Sequence, residues 1–256
     1  MAISPRVPRA MGAAALLCGV VACSVAPPGG GIHDPYEPVN RQVHAFNTGI
    51  DAAVVRTAGQ VVRAADPASF QWVVNFSDNA SLPGMVVNAT LQGDAESAAV
   101  NTVRFLINTT LGFGGFVDWA GPMGYEERST DFGQTLAVWG LPEGAYLEVP
   151  LLGPSTERDA AGELVDLLLD PLEYLGTPPQ RRWSTAAQAG EIVVERGTLS
   201  DTIDSLLYDS ADSYAQARLA YLQNRRFELG EPPPPAVQGD PESEAYVDDL
   251  LEDLYR

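Results

Sequence analysis

LGFGGFVDWAG at residues 111–121, TDFGQTLAVWG at 130–140 and EGAYLEVPLLGPSTERD at 143–159 form a glycine-rich centre between segments of different character. Nine of the 24 glycines fall between Gly112 and Gly153, where a missing Cβ lets backbone bend sharply and pass close to other groups. The segments on either side carry helical periodicity. These features predict a mainly α protein, with amphipathic helices surrounding a glycine-rich, partly extended insert from Leu111 to Asp159. Two roles for the insert stay open on its chemistry alone. It is either a loop-rich connection within the core or the segment along which function lies.

Immediately before the insert, Gly93 is a stop signal and Asp94 an N-cap for a helix over Ala95 to Thr110. That helix is apolar around most of its circumference, except that Asn101, Arg104 and Asn108 share one face at i, i+3 and i+7. The stripe either faces a wet channel or forms a buried polar network that positions the insert. Upstream, Pro67 to Asn79 reads as a short helix and Pro83 as the start of another, because its preset φ suits a first helical turn. Further upstream, Tyr36, Val39, Val43, Phe46, Ile50 and Val54 recur at three- and four-residue steps. This is an amphipathic helix, and packing on a protein core is the usual partner for such a stripe.

Downstream, Leu164, Val165, Leu167, Leu168 and Leu169 give an apolar helix, with Ser155 or Thr156 as its cap and Asp170-Pro171 as its interruption. Two more helices are expected at about Arg181 to Arg196 and Asp212 to Leu229. Four prolines, 232–235, then close the domain. The remaining acidic tail to Arg256 carries Tyr246, Leu250, Leu251 and Leu254, either as a solvated end or as a short docking helix.

The chain has 256 residues, 45% of them hydrophobic, and a formal charge of -19. That is enough apolar material for a substantial core, and the charge argues against nucleic acid, whose phosphates need a basic footprint. All 15 basic residues are arginine. At the N-terminus, Arg6 and Arg9 precede an apolar run from Met11 to Val21, and Val20-Val21-Ala22-Cys23 closes it. This resembles a bacterial lipoprotein signal, with residues 1–22 removed and a covalent lipid on Cys23. Ser24 in place of Asp after the cysteine points to the outer membrane in the sorting logic of such lipoproteins. Residues 23–33, with Pro27-Pro28-Gly29-Gly30-Gly31, read as a flexible tether. Past the signal, no apolar run approaches the ~20 residues a spanning helix needs.

Catalytic chemistry finds little support. His33 lies at the tether and His44 in the first helix, both read as surface histidines. Neither is accompanied by a G-x-S-x-G elbow, an H-E-x-x-H pair or a P-loop. We expect no enzyme, no metal and no cofactor.

Asp34-Pro35-Tyr36-Glu37, Asn40-Arg41 and Phe46-Asn47 resemble the opening signature of the MlaA (VacJ) outer-membrane lipoprotein family. The similarity continues through Asn75-Phe76, Asn79, Pro83, Asn88 and Leu91-Gln92-Gly93. It resumes at Arg104-Phe105, Asn108-Thr109, Gly112, Gly115, Asp118, Asp131 to Leu136, Gly140, Gly153-Pro154-Ser155 and Arg158-Asp159. Ala137 and Ala145 stand where the family usually has Gly and Pro, and Ser213 replaces a common Pro before Tyr214. The resemblance implies a mainly α domain over 34–230, a ring-like arrangement of amphipathic helices around the glycine-rich, partly extended insert, followed by the Pro-rich linker and acidic tail at 231–256. It further implies a lipid-anchored protein on the periplasmic face of the outer membrane that removes mislocalised phospholipid from the outer leaflet through an amphipathic channel. The phospholipid is the transported ligand, a trimeric porin and a periplasmic lipid carrier are the partners, and maintained lipid asymmetry is the outcome. A structural lipoprotein that braces porins and, as a lesser alternative, a lipid hydrolase are the rival readings. Asn101, Arg104, Asn108, Gly112, Gly114, Gly115, Phe132, Gly133 and Gly140 are the expected channel-lining or hinge residues.

Overall fold

The computed structural model describes residues 32–169 and 178–232. The signal, Cys23, most of the tether, Asp170-Pro171 and nearly all of the acidic tail lie outside them. Helix α1 (Glu37–Ile50) has a proline in its first turn and continues through a π turn (Asp51–Val55) into α2 (Arg56–Ala64). Asp66, at φ 70°, reverses the chain and its carboxylate accepts from the Ala68 N–H at 3.1 Å. A 3₁₀ turn (Pro67–Phe70) then leads into α3 (Gln71–Gln92).

Helix α3 corrects one expectation, since it runs unbroken through Pro83. The proline ring fixes a helical φ and removes one N–H, so the loss is confined to a single rung of the ladder. Packing against both α4 (Ala95–Thr110) and α7 (Pro178–Thr198) holds the helix together on either side of that rung. The junction to α4 is as the residues dictate. Gly93 adopts the left-handed conformation at φ 77°, and the Asp94 carboxylate accepts from the Ser97 N–H at 3.0 Å.

The insert is irregular from Leu111 to Asp131, apart from a 3₁₀ turn (Gly121–Met123). It then forms a short helix, α5 (Phe132–Val138), and a hairpin of β1 (Tyr146–Val149) and β2 (Gly153–Thr156), with Tyr146 opposite Thr156 and Val149 opposite Gly153. Thr156 caps α6 (Glu157–Leu169): its hydroxyl accepts from the Asp159 N–H at 3.1 Å and donates to the Asp159 carboxylate at 2.8 Å. After α7 come α8 (Ser200–Asp204), a second π turn (Ser205–Asp209) and α9 (Ser213–Glu228), capped by Asp212.

Burial is reversed relative to an ordinary globular domain. In α1 the buried residues are Asn40 and His44, while Val39 is 61% exposed and Phe46 52%. The apolar stripe therefore faces away from the protein interior, which corrects the expectation that it packs on a core. The pattern recurs through Val54, Val61, Trp72, Leu106, Leu167 and Trp183, all exposed. Among the described residues, more polar than apolar side chains are buried, and the largest fully buried one is Arg158. The described residues contain no helix long and apolar enough to cross a membrane.

Candidate functional site

The interior is assembled from helix faces whose polar residues recur at helical spacing. Asn40, His44 and Asn47 on α1 clasp the hairpin. The Asn40 amide donates to the Tyr146 carbonyl at 3.1 Å and accepts from the Glu148 N–H at 3.0 Å. Asn47 donates to the Val149 carbonyl at 3.0 Å and accepts from the Leu151 N–H at 2.8 Å. His44 is buried, not at the surface as expected, with Nδ1 3.2 Å from Glu148 and Nε2 3.1 Å from the Ser213 hydroxyl. Ser213, one of the departures from the family pattern, thus supplies a partner that proline could not. Ala145 is another, because its N–H donates to Glu157 at 3.2 Å.

The α4 stripe is directed at the insert. Asn101 exchanges hydrogen bonds with the Arg128 backbone at 2.8 and 3.1 Å. Arg104 donates to the Tyr125 carbonyl and, at 3.3 Å, to Asp118. Asn108 accepts from the Trp119 and Ala120 N–H groups at 2.9 and 3.0 Å and donates to Asp118 at 2.8 Å. All three are buried, so the stripe's hydrogen bonds go to insert backbone and to Asp118. Burial opposes ionisation of Asp118, yet Asn108, the Gly121 N–H and Arg104 together hold its carboxyl below the usual range.

The glycines of the insert occupy different situations. A Cβ on Gly112 would lie 2.1 Å from the Val117 carbonyl oxygen, and one on Gly115, at φ 103°, would meet Asn79 at 2.6 Å. Gly114 and Gly140 also have positive φ, but open space surrounds them. Gly133 sits where α5 meets α6, with Gly162 opposite and Asp159 and Arg225 above it. Beside it Phe132 is buried, edge-on to Trp139, and its N–H donates to Asp166 at 2.8 Å. Thus Asn108 and Gly112 converge on one corner of the insert, Gly115 closes against α3, and Phe132 and Gly133 belong to a separate corner under α6.

That second corner centres on Arg225 of α9. It forks onto Asp131 at 2.7 and 2.8 Å and reaches Asp159 at 3.1 Å and Glu228 at 3.0 Å. Burial disfavours the Asp159 charge, but Arg225 and Arg158 hold its carboxyl below the usual range. The sequence places this helix at about Asp212 to Leu229 but does not single out Arg225. The one signal was local, since Tyr221 and Arg225 stand one turn apart; their partners Asp159 and Asp131 come from distant motifs.

Four cavities thread these networks. One of about 540 Å³ is walled by Ser81, Met85 and Asn88 of α3, Leu152 of the hairpin loop, and Glu163 and Asp166 of α6. It shares Thr130 and Glu163 with a second of about 680 Å³, which reaches Asp131, Asp159 and Arg225. Tyr221 and Asn224 join this to a third of about 400 Å³ between α1, the hairpin and α9, and Asn47, Asp51, Leu199 and Ile203 join that to a fourth of about 320 Å³. The shared lining residues place the four side by side. Polar groups and leucine, isoleucine, methionine and alanine side chains alternate along them.

Outward apolar side chains, hydrogen-bonded polar groups within and adjoining cavities define a class: a helical protein whose surface suits an apolar phase and whose interior suits polar groups. The chain belongs to the MlaA lipoprotein family, whose model matches residues 32–228. It is 35% identical over 228 residues to the intermembrane phospholipid transport system lipoprotein MlaA of Shigella flexneri, covering 86% of this chain and 87% of that one. Identity to the protein of the same name from Escherichia coli K12 is also 35%, with the same coverage, and to that of Haemophilus influenzae 28% over 207 residues, covering 78% and 80%. A solved structure described as a basis for maintenance of bacterial outer membrane lipid asymmetry superposes with a TM-score of 0.65 at 32% identity, covering 77% of this chain and 98% of that one.

Proposed function

We propose that this protein is an outer-membrane lipoprotein that removes mislocalised phospholipid from the outer leaflet and passes it through the adjoining cavities to a periplasmic carrier, so maintaining lipid asymmetry. The observation that carries the reading is the reversed burial. Exposed Phe46, Trp72 and Leu106 suit contact with acyl chains, while buried Asn40, Asn88, Asn108 and Arg225 make a polar interior. A lipid leaving a bilayer needs such a division, because its headgroup is costly to strip of polar partners while its tails favour an apolar phase. The names of the relatives agree with it.

In this reading Cys23 carries covalent lipid, which holds the protein on the periplasmic face, and the helices ring the insert. The insert supplies shape to the route, with Asn101, Arg104 and Asn108 as its supports. A trimeric porin and a soluble lipid carrier are the partners. The chemistry is transfer without bond cleavage. Mass spectrometry of lipids copurifying with the lipidated chain tests this directly. Stoichiometric intact phospholipid is the expected result; an empty protein would favour a lipoprotein that only braces porins, and released fatty acid a hydrolase.

A further inference from the structure

The charges along the adjoining 540 and 680 Å³ cavities are predominantly negative. The wall of the 540 Å³ cavity includes Glu163 and Asp166 and, among the described residues, no cation. In the adjoining 680 Å³ cavity the one arginine is Arg225, and its charge is already answered by Asp131, Asp159 and Glu228. Glu163 lies at the junction, lining both. No arginine comes within salt-bridge distance of it among the described residues.

We propose that this route selects phospholipids whose headgroup bears a cationic nitrogen over those of net negative charge, and that Glu163 is the group that meets the nitrogen. The inference rests on the lipid-route reading and adds to it a class of substrate. Three observations support it. Desolvation and the neighbouring carboxylates Asp159 and Asp131 push the Glu163 carboxyl above its usual range despite the opposing charge of Arg225, so the net local field is one that a further cation relieves. Asp166 is likewise pushed up by burial, although the Phe132 N–H and the Asn88 amide donate to it. The other polar groups on the same wall, Ser81, Thr130 and Gln188, are neutral and suit a phosphate without supplying the full charge an anionic headgroup requires. A phosphatidylglycerol headgroup entering here brings a net negative charge among carboxylates. Phosphatidylethanolamine brings an ammonium to them, and with it a charge-assisted hydrogen bond.

The test uses the lipidated full chain, reconstituted in vesicles of equal phosphatidylethanolamine and phosphatidylglycerol with a chelator present, then extracted in mild detergent for mass spectrometry of bound lipid. Phosphatidylethanolamine is expected to be enriched about tenfold over the vesicle ratio, the discrimination that one charge-assisted contact of ~1.4 kcal/mol provides. Glu163→Gln should bring the ratio most of the way back to that of the vesicle without lowering total bound lipid. Glu96→Gln, at a carboxylate on α4 outside both cavities, should leave it enriched. Bound lipid at the vesicle ratio, or enriched in phosphatidylglycerol, overturns the selection and leaves the route standing. An equal response to Glu96→Gln overturns the role of Glu163. Absence of bound phospholipid overturns the route and the selection together.

Discussion

Asn108 illustrates how single side chains hold this molecule together. Its amide answers two backbone N–H groups and one carboxylate, so Asn108→Ala leaves buried polar atoms without partners and should lower unfolding stability by about 2–4 kcal/mol. Chemical denaturation of the detergent-solubilised protein would show it, and a loss under about 0.5 kcal/mol, the range of ordinary surface substitutions, would mean that water replaces the amide. Gly112 and Gly140 separate two demands on glycine. Gly112→Ala drives a methyl into the Val117 carbonyl, whereas Gly140→Ala, at φ 85° in open space, meets only backbone strain of about 1 kcal/mol. The first should unfold at distinctly lower temperature than the second; the reverse order would contradict the packing of the insert. Asp78 adds a pH dependence. Burial, then Glu127 and Glu191, push its carboxyl up to about 8 from 3.8. Between those values the folded state binds a proton that the unfolded chain has released, so stability falls as pH rises through the window. Asp78→Asn should therefore raise the melting temperature more at pH 8 than at pH 5, and equal gains at both would show that the carboxyl titrates normally.

Much of the element structure was legible because its signals are local. Gly93 and Asp94 fixed the turn into α4, Thr156 the start of α6, and Asp212 that of α9, each through a cap whose chemistry acts within four residues. Pro83 misled because the penalty for an interior proline is local too, while the packing by α4 and α7 that overrides it is not. The apolar stripe of α1 misled for a different reason. Periodicity tells which face is apolar but not which phase it meets, and here the hydrogen-bonding groups are on the other face, where Asn40, His44 and Asn47 grip the hairpin. The candidate site was legible as residues but not as an arrangement, since Arg225 joins Asp131 and Asp159 across 94 and 66 positions. The exposed stripe leads to a prediction for the elements as membrane surfaces. Cys23→Ala should weaken membrane association without abolishing it, because the apolar faces are a second signal. Adding Phe46→Gln and Leu106→Gln to that variant should weaken vesicle binding by a further factor of about ten or more, each side chain contributing about 1–1.5 kcal/mol at half burial. Unchanged cosedimentation would mean that neither face meets lipid.

At the scale of the whole molecule the account makes one claim: the protein turns its apolar side chains toward acyl chains and keeps its polar groups for an interior route. The net charge of -19 fits this division, since attraction to anionic headgroups cannot supply the binding and apolar burial must. The tryptophans report on it without any added label. Trp72, Trp119, Trp139 and Trp183, the four in the chain, are all exposed, between 47% and 68%, and lie on α3, the insert, the end of α5 and α7. Quenching of their fluorescence in vesicles whose phospholipids carry bromine on the acyl chains, compared with quenching by aqueous iodide, tests the claim most directly. The account predicts strong quenching by the brominated lipid and little by iodide; emission open to iodide and indifferent to brominated lipid would contradict it.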